Sequence, residues 1–120
     1  MHLIIIYELS ITWDKVHKFT KQGNLSEWDP PENAGVYVIA YREDPKKQPN
    51  TYTPIYVGES EDFEDRGFSN HHKRECWLKH VNNNEKRLAV YLYVMPNSTA
   101  EERRKIESEV IRIRNPTCND

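Results

Sequence analysis

The chain is built around the segment PIYVGESEDFEDR, residues 54–66. Its apolar run IYV favours a strand, and Gly58 permits a tight turn or a close approach of backbone to a ligand. Ser60 is an expected N-cap, and the acids after it suit the first turn of a helix at 61–66. The segment therefore predicts a buried strand at 54–58 that runs into a helix.

Two side chains of this segment suit phosphate chemistry. The phenol of Tyr56 can donate or accept a proton, and the guanidinium of Arg66 can bind phosphate oxygens in pairs. The strand-to-helix arrangement allows both groups to converge at one end of the sheet.

Two further segments read as strands with apolar residues on both faces. The first, GVYVIAY at 35–41, alternates so that Tyr37 and Ile39 share one face. We expect it to pair antiparallel with 54–58, which brings Tyr37 close to Tyr56. The second, LAVYLYVM at 88–95, ends at a proline.

Helices are predicted at about 70–81 and after residue 98. The last helix carries a capping box formed by either Ser98 and Glu101 or Thr99 and Glu102. Its expected core stripe is Ile106, Val110 and Ile113, and Pro116 ends it.

The segment before Gly35 contains no residues that suggest a catalytic or binding role. We interpret residues 1–120 as one domain, with 1–33 as an accessory segment and 34–119 as the core. A strand is expected at 2–8, a short helix at Ser10–Phe19, and loops at 21–33 and 42–53.

Composition describes an ordinary globular domain without a strong charge bias. Charged residues make up 30% of the chain and the net charge is −2, so a nucleic-acid partner requires basic residues on one face. The two cysteines, Cys76 and Cys118, form no CxxC and predict no disulfide scaffold. The apolar opening is too short for a signal peptide or a membrane span. We expect a reduced, cytoplasmic protein that does not enter a membrane.

Several of these elements together resemble the GIY-YIG nuclease superfamily. Its two tyrosine triplets match GVY at 35–37 and YVG at 56–58, with valine for isoleucine in both. Its helix arginine matches Arg66, its late-helix glutamate matches Glu107, and its final asparagine matches Asn119. The likeness covers about residues 33–119.

The resemblance implies an α+β fold with a central three-stranded antiparallel sheet flanked by helices. It also implies phosphodiester hydrolysis with one divalent ion, Mg²⁺ or Mn²⁺. Glu107 would hold that ion, Arg66 would stabilise the charge that develops on the phosphoryl oxygens, and Tyr37 or Tyr56 would take a proton from water. Asn119 is expected to fix the backbone of the site.

This chain departs from the family at two positions. Many members carry a lysine after the second triplet, where this chain has Glu59. An acid there either removes a cation that would lower the pKa of a tyrosine, or supplies a second metal ligand. Several members carry histidine or tyrosine one turn after the arginine, where this chain has Asn70. A shift of one residue around Gly67 would give that role to His71.

Two other groups of residues admit alternative interpretations. His72, Cys76 and His80 invite a zinc assignment, but the ends of such a helical series lie roughly 12 Å apart, which excludes a shared ion. The basic side chains near the predicted site are either ordinary surface or a track for a phosphate backbone. The candidates for nucleic-acid binding are Lys73, Arg74, Lys79 and His72.

The sequence therefore favours a metal-dependent endonuclease that acts on nucleic acid, with DNA preferred over RNA. No sequence-reading domain is attached, so specificity is low, structural or supplied by a protein partner or a second copy. The alternatives are a nucleic-acid-binding module of the same fold that lacks turnover, favoured by Glu59, and an RNase toxin.

Overall fold

The computed structural model of the chain describes residues 17–42 and 52–119. Its strands are β1 (Thr20–Asn24), β2 (Gly35–Tyr41), β3 (Thr53–Ser60) and β4 (Leu88–Val94). Its α-helices are α1 (Phe63–Arg66), α2 (Arg74–Lys79) and α3 (Ala100–Arg114). Short 3₁₀ turns lie at Leu25–Glu27, Phe68–Asn70, Glu85–Arg87 and Thr117–Asn119. The predicted α+β class is confirmed.

Within the described residues the strands form a four-stranded antiparallel sheet in the order β1-β4-β2-β3. The prediction of three strands was wrong, because β1 comes from the N-terminal segment that we had interpreted as accessory. Its sequence, TKQGN, is exposed or only half-buried along its length. It joins the sheet through backbone pairing with β4, so hydrophobic alternation gave no sign of it.

The other strands follow the sequence closely. The prediction for 35–41 is confirmed, and β2 pairs antiparallel with β3 as expected. The prediction that β3 breaks at Gly58 was wrong, since the strand continues to Ser60. The helix after it begins at Phe63, and Asp62 is its N-cap in place of Ser60, accepting from the Glu64 N–H at 3.1 Å.

Both faces of the sheet are covered, and each carries its own core. One cluster lies with α1, α2 and the last 3₁₀ turn, and its largest side chains are Tyr37, Ile39, Phe63 and Trp77. The second cluster lies with α3 and contains Val36, Val38, Val57 and Val110. Alternate residues of β2 thus enter opposite cores, as its two-sided apolar pattern predicts.

Two helices differ from their predicted extents. The stretch predicted as helix at 70–81 is helical only at Arg74–Lys79. Before it, Gly67 lies in the left-handed region at φ 71°, and the next 3₁₀ turn ends at the extended residue His71. Extended backbone at His71 cannot belong to a helix, so α2 starts later.

In α3 the capping box uses Thr99 and Glu102, with hydrogen bonds of 2.8 and 3.1 Å. Val110 is fully buried, but Ile113 is 36% exposed, so its assignment to the core stripe was wrong. The helix ends at Arg114, before Pro116, as predicted.

Three predictions concern residues that lie wholly or partly outside the described ranges. These are the strand at 2–8, the helix at Ser10–Phe19, whose last residues 17–19 are not helical, and most of the loop at 42–53. Within residues 17–42 and 52–119, no helix has the length and apolar character needed to cross a bilayer.

Candidate active site

The register of β2 and β3 places two tyrosines side by side on one face of the sheet. Tyr37 lies opposite Gly58, and Tyr56 lies opposite Ile39. The ring centroids of the tyrosines are 6.0 Å apart. A Cβ at position 58 would clash with the Tyr37 ring, so glycine is needed there for the ring to cross β3. The close approach expected at Gly58 therefore accommodates a side chain of the site.

His71 joins the tyrosines from the connection between the 3₁₀ turn and α2. Its side chain is buried, and its Nε2 lies 2.8 Å from the Tyr37 hydroxyl and 2.9 Å from an Arg66 guanidinium nitrogen. Its Nδ1 accepts a hydrogen bond from the Lys73 N–H at 3.0 Å. We call Tyr37, Tyr56, Arg66 and His71 the phenol–guanidinium cluster.

Hydrogen bonds connect His71 to the groups around it. The Lys73 N–H donates to His71 Nδ1, and the Arg66 guanidinium, which can only donate, faces His71 Nε2. The Tyr37 hydroxyl lies 2.8 Å from the same Nε2 and hydrogen-bonds to Tyr56.

The pKa values of these groups follow from burial and from the guanidinium. Burial chiefly lowers the pKa of His71 to about 3, and the charge of Arg66 lowers it further. Burial also raises the pKa of both phenols, and Arg66 opposes this at each. Tyr37 is 1% exposed and Tyr56 is 8% exposed, so Tyr56 is the phenol nearer to solvent. At neutral pH the cluster therefore carries one positive charge, on Arg66.

Glu107 approaches the same corner from the other side of β3. It is half-buried on α3, which packs against β3. Burial raises its pKa, the charge of Glu59 raises it further, and Arg104 opposes them. The charge of Glu107 in turn raises the pKa of Tyr56, so the carboxylate and this phenol interact electrostatically.

Glu59, the acid that follows Gly58 on β3, is held by arginines. Its carboxylate accepts from Arg103 Nε at 2.8 Å and lies 3.8 Å from Arg104 Nε. The Arg103 side chain is buried and also donates to the Ser98 carbonyl at 2.7 Å. Within the described residues Glu107 makes no salt bridge, so it is the carboxylate of the pair that is left for a cation.

Asn119 holds the edge strand beside Tyr56. Its Oδ1 accepts from the Val57 N–H at 2.9 Å, and its Nδ2 donates to the Val57 carbonyl at 2.8 Å. These bonds pair backbone groups on β3, which is an edge strand of the sheet formed by residues 17–42 and 52–119. Asn119 thus contacts the backbone next to the cluster.

The residues predicted to bind nucleic acid fall into two groups. Arg74 forms a bidentate salt bridge with Glu85, at 2.8 and 3.0 Å. Its guanidinium is therefore engaged within the protein. His72 and Lys79 are exposed, and Lys73 is half-buried. His72 also stacks on His71, with ring centroids 4.6 Å apart, so it borders the cluster directly.

The sequence missed two pairs of residues. Cys76 and Cys118 form a disulfide, which contradicts the expectation of a reduced pair. The second pair is Glu59 and Arg103. Its partners are 44 residues apart in the sequence, and no sequence pattern links them.

Comparison of the chain with protein-family models, with curated proteins and with solved structures found no match.

Proposed function

We propose that this chain is a metal-dependent endonuclease of the GIY-YIG type that hydrolyses phosphodiester bonds, with DNA as the preferred substrate. The observation that carries the proposal is the meeting of Tyr37, Arg66 and His71 at one ring nitrogen, beside Tyr56 and within electrostatic reach of Glu107. A guanidinium, two phenols and a carboxylate in one corner are the groups that phosphodiester hydrolysis needs.

The donor set suits Mg²⁺ or Mn²⁺. Mg²⁺ is commonly bound through one or two carboxylates and keeps several waters. Glu107 is half-buried, and the nearby Glu59 raises its pKa, a repulsion that a divalent cation would relieve. When bound, such an ion would polarise a phosphoryl oxygen and acidify water. Glu107 would hold it, and Arg66 would donate to the non-bridging oxygens from the opposite side.

We assign proton transfer from water to Tyr56. The Tyr37 hydroxyl lies 2.8 Å from His71 Nε2 and hydrogen-bonds to Tyr56, so it is committed within the cluster. The charge of Glu107 raises the pKa of Tyr56, and a cation on Glu107 would cancel that effect. Tyr37 then stabilises the phenolate of Tyr56 by hydrogen bonding.

The approach of substrate is limited by charge. One side of Arg66 is lined by acids, and a phosphate backbone would be repelled there; these acids are Glu61, Asp62 and Asp65. His72, Lys73 and Lys79 lie on the side of α2, which is the favourable route. The proposal places the enzyme in the cytoplasm and leaves sequence specificity to a protein partner or a second copy.

A nicking assay on supercoiled plasmid tests the proposal. With Mg²⁺ or Mn²⁺ we expect wild-type protein to nick the plasmid, and Glu107→Gln to lower the rate by at least about 100-fold, since metal binding contributes several kcal/mol. Glu101→Gln, at an exposed carboxylate on the first turn of α3, is the matched control.

Each alternative has its own outcome. Binding of plasmid without metal-dependent nicking, unchanged by Glu107→Gln, would replace the proposal by a binding module. Cleavage of a single-stranded RNA in place of the plasmid would indicate an RNase.

The assignment of Tyr56 is tested by rate against pH. Since the phenolate is the active form, the nicking rate should rise with pH above neutrality. Tyr56→Phe should abolish this rise. Tyr37→Phe should lower the nicking rate, but that rate should still rise with pH. A rise that survives in Tyr56→Phe would reassign the proton transfer.

A further inference from the structure

A second group of metal-binding side chains lies outside the proposed active site. Cys76 on α2, His80 just after α2 and Cys118 in the last 3₁₀ turn each offer one ligand atom, and these atoms all lie within 4.8 Å of one another. The two sulfurs are joined as a disulfide, and the Cα atoms of the cysteines are 5.9 Å apart. We call these three residues the cysteine–histidine cluster.

We propose that reduction of this disulfide creates a Zn²⁺ site with Cys76, His80 and Cys118 as ligands and a water at the fourth position. Two thiolates and one imidazole form a set that Zn²⁺ binds tetrahedrally, with Zn–S distances of about 2.3 Å. The same set disfavours Mg²⁺ and Mn²⁺, which prefer oxygen. This inference is independent of the proposed nuclease activity.

The positions of the ligands require only a local adjustment. Tetrahedral Zn²⁺ holds two thiolates about 3.8 Å apart, by geometry from its bond lengths. Rotation of the two cysteine side chains, once the disulfide is opened, can separate the sulfurs to that distance. The Cα separation of 5.9 Å already lies in a range that two ligands of one ion can occupy.

The imidazole has the outer hydrogen-bond partner that metal-binding histidines commonly use. His80 Nε2 lies 2.9 Å from the Thr117 hydroxyl. With Nδ1 as the ligating atom, the Nε2–H would donate to Thr117 Oγ1 and orient the ring. Thr117 precedes Cys118, so one turn supplies a ligand and the partner of another ligand.

Both steps balance with a dithiol or phosphine as the reductant. A dithiol passes two electrons and two protons to the disulfide, giving two cysteine thiols and an oxidised, cyclic disulfide. Zn²⁺ then displaces one proton from each thiol and binds the neutral imidazole, so two protons are released. Disulfides in reducing compartments are usually transient or redox-sensing, which suits a pair that alternates between these states.

The cysteine–histidine cluster differs by one ligand from the helical series that the sequence suggests. The helical series of His72, Cys76 and His80 spans too great a length for one ion. In the structure Cys118 replaces His72, and it reaches the cluster from a sequence separation of 42 residues. Helical spacing alone could not find it.

Cobalt binding tests the proposal, because Co²⁺ substitutes for Zn²⁺ and reports its ligands. Protein reduced with a phosphine under nitrogen should bind one equivalent of Co²⁺ with an intense near-ultraviolet thiolate band and strong tetrahedral visible bands. Oxidised protein should show neither. An ion at Glu107 would have oxygen ligands and no thiolate band, so the two sites are distinguished. Zn²⁺ should displace the Co²⁺.

Variants sharpen this result without relying on loss of a cysteine. His80→Gln retains both thiols and should bind Zn²⁺ at least about 10-fold more weakly in competition with a chelator. His72→Gln removes an exposed histidine that precedes α2 and lies outside the cluster. It is the matched control and should bind Zn²⁺ with wild-type affinity. Reduced wild-type protein without a thiolate band, or His80→Gln with wild-type affinity, would overturn the proposal.

Discussion

The phenol–guanidinium cluster and the cysteine–histidine cluster both border α2, yet they are built in opposite ways. In the first, His71 is buried among Tyr37, the Arg66 guanidinium and the Lys73 backbone N–H, and burial and the charge of Arg66 keep its ring neutral. In the second, the disulfide between Cys76 and Cys118 must be reduced before the two sulfurs can act as thiolate ligands. The first should therefore respond to pH and the second to redox conditions.

The ligand atoms differ in the same way. Glu107, next to the first cluster, offers a hard carboxylate oxygen, whereas the second offers soft sulfur and nitrogen. Such donors select different ions even when both ions are present. The comparison predicts that an alteration at one cluster leaves the metal chemistry of the other unchanged, which can be examined variant by variant.

The largest expected effect is on the rate of plasmid nicking, when the guanidinium of Arg66 is removed. Arg66→Ala should lower plasmid nicking on the order of 10²–10³-fold, the usual cost of removing one donor that stabilises developing negative charge. Arg112→Ala, at an exposed position on α3, is the control and should nick as wild type. Co²⁺ uptake by reduced Arg66→Ala should also be unchanged. Nicking by Arg66→Ala at the wild-type rate would remove the guanidinium from the mechanism.

Much of the fold was accessible from sequence because its inner strands are apolar on both faces. The runs at 35–41 and 88–95 enter both cores, so composition alone marks them as central strands. β1 was not accessible. Its residues TKQGN contribute backbone pairing and little buried area, and such a strand leaves no periodic signal.

The candidate site divides similarly into local and distant relations. Antiparallel pairing of two tyrosine-bearing strands predicts that Tyr37 and Tyr56 meet, and they do. That His71 and not Asn70 enters the cluster depends on the left-handed Gly67 and the 3₁₀ turn after it. The salt bridge of Glu59 with Arg103 and the disulfide join residues 44 and 42 positions apart. Only tertiary packing determines such pairs.

An effect of medium size is expected on the pH dependence of stability, because the imidazole of His71 is buried. The pKa of His71 in the folded protein, about 3, is below its ordinary 6.5, so on acidification the unfolded chain takes up the proton first. The stabilisation is present above pH 6.5 and is lost as the pH falls toward 3. Between pH 7.5 and 4.5 this contributes about 3 kcal/mol to the fall in the free energy of unfolding.

Urea denaturation at these two pH values isolates that contribution. His71→Gln should lose about 3 kcal/mol less stability than wild type over the interval, because the titrating group is gone. His72→Gln, at the exposed neighbour, should fall as wild type does. Equal falls for wild type and His71→Gln would show that burial of the neutral ring does not contribute to acid stability.

The smallest effect concerns Asn119, which links the two clusters. It follows Cys118 directly and holds both polar groups of Val57, next to Tyr56. Asn119→Ala removes two hydrogen bonds, and the free energy of unfolding of oxidised protein should fall by about 1–2 kcal/mol. Asn119→Asp keeps the acceptor for the Val57 N–H but sets a carboxylate oxygen against the Val57 carbonyl, so its loss should be at least as large.

The redox state should alter this loss. In reduced, zinc-free protein the turn at Thr117–Asn119 is no longer tied to α2, so its hydrogen bonds to Val57 contribute less against the entropy of ordering it. The loss caused by Asn119→Ala should therefore be smaller there and recover when Zn²⁺ is added. An equal loss in all three states, measured by urea denaturation, would mean that the two clusters are independent despite their adjacency. A smaller loss on reduction would instead make Asn119 the residue through which the redox state reaches the strand that carries Tyr56.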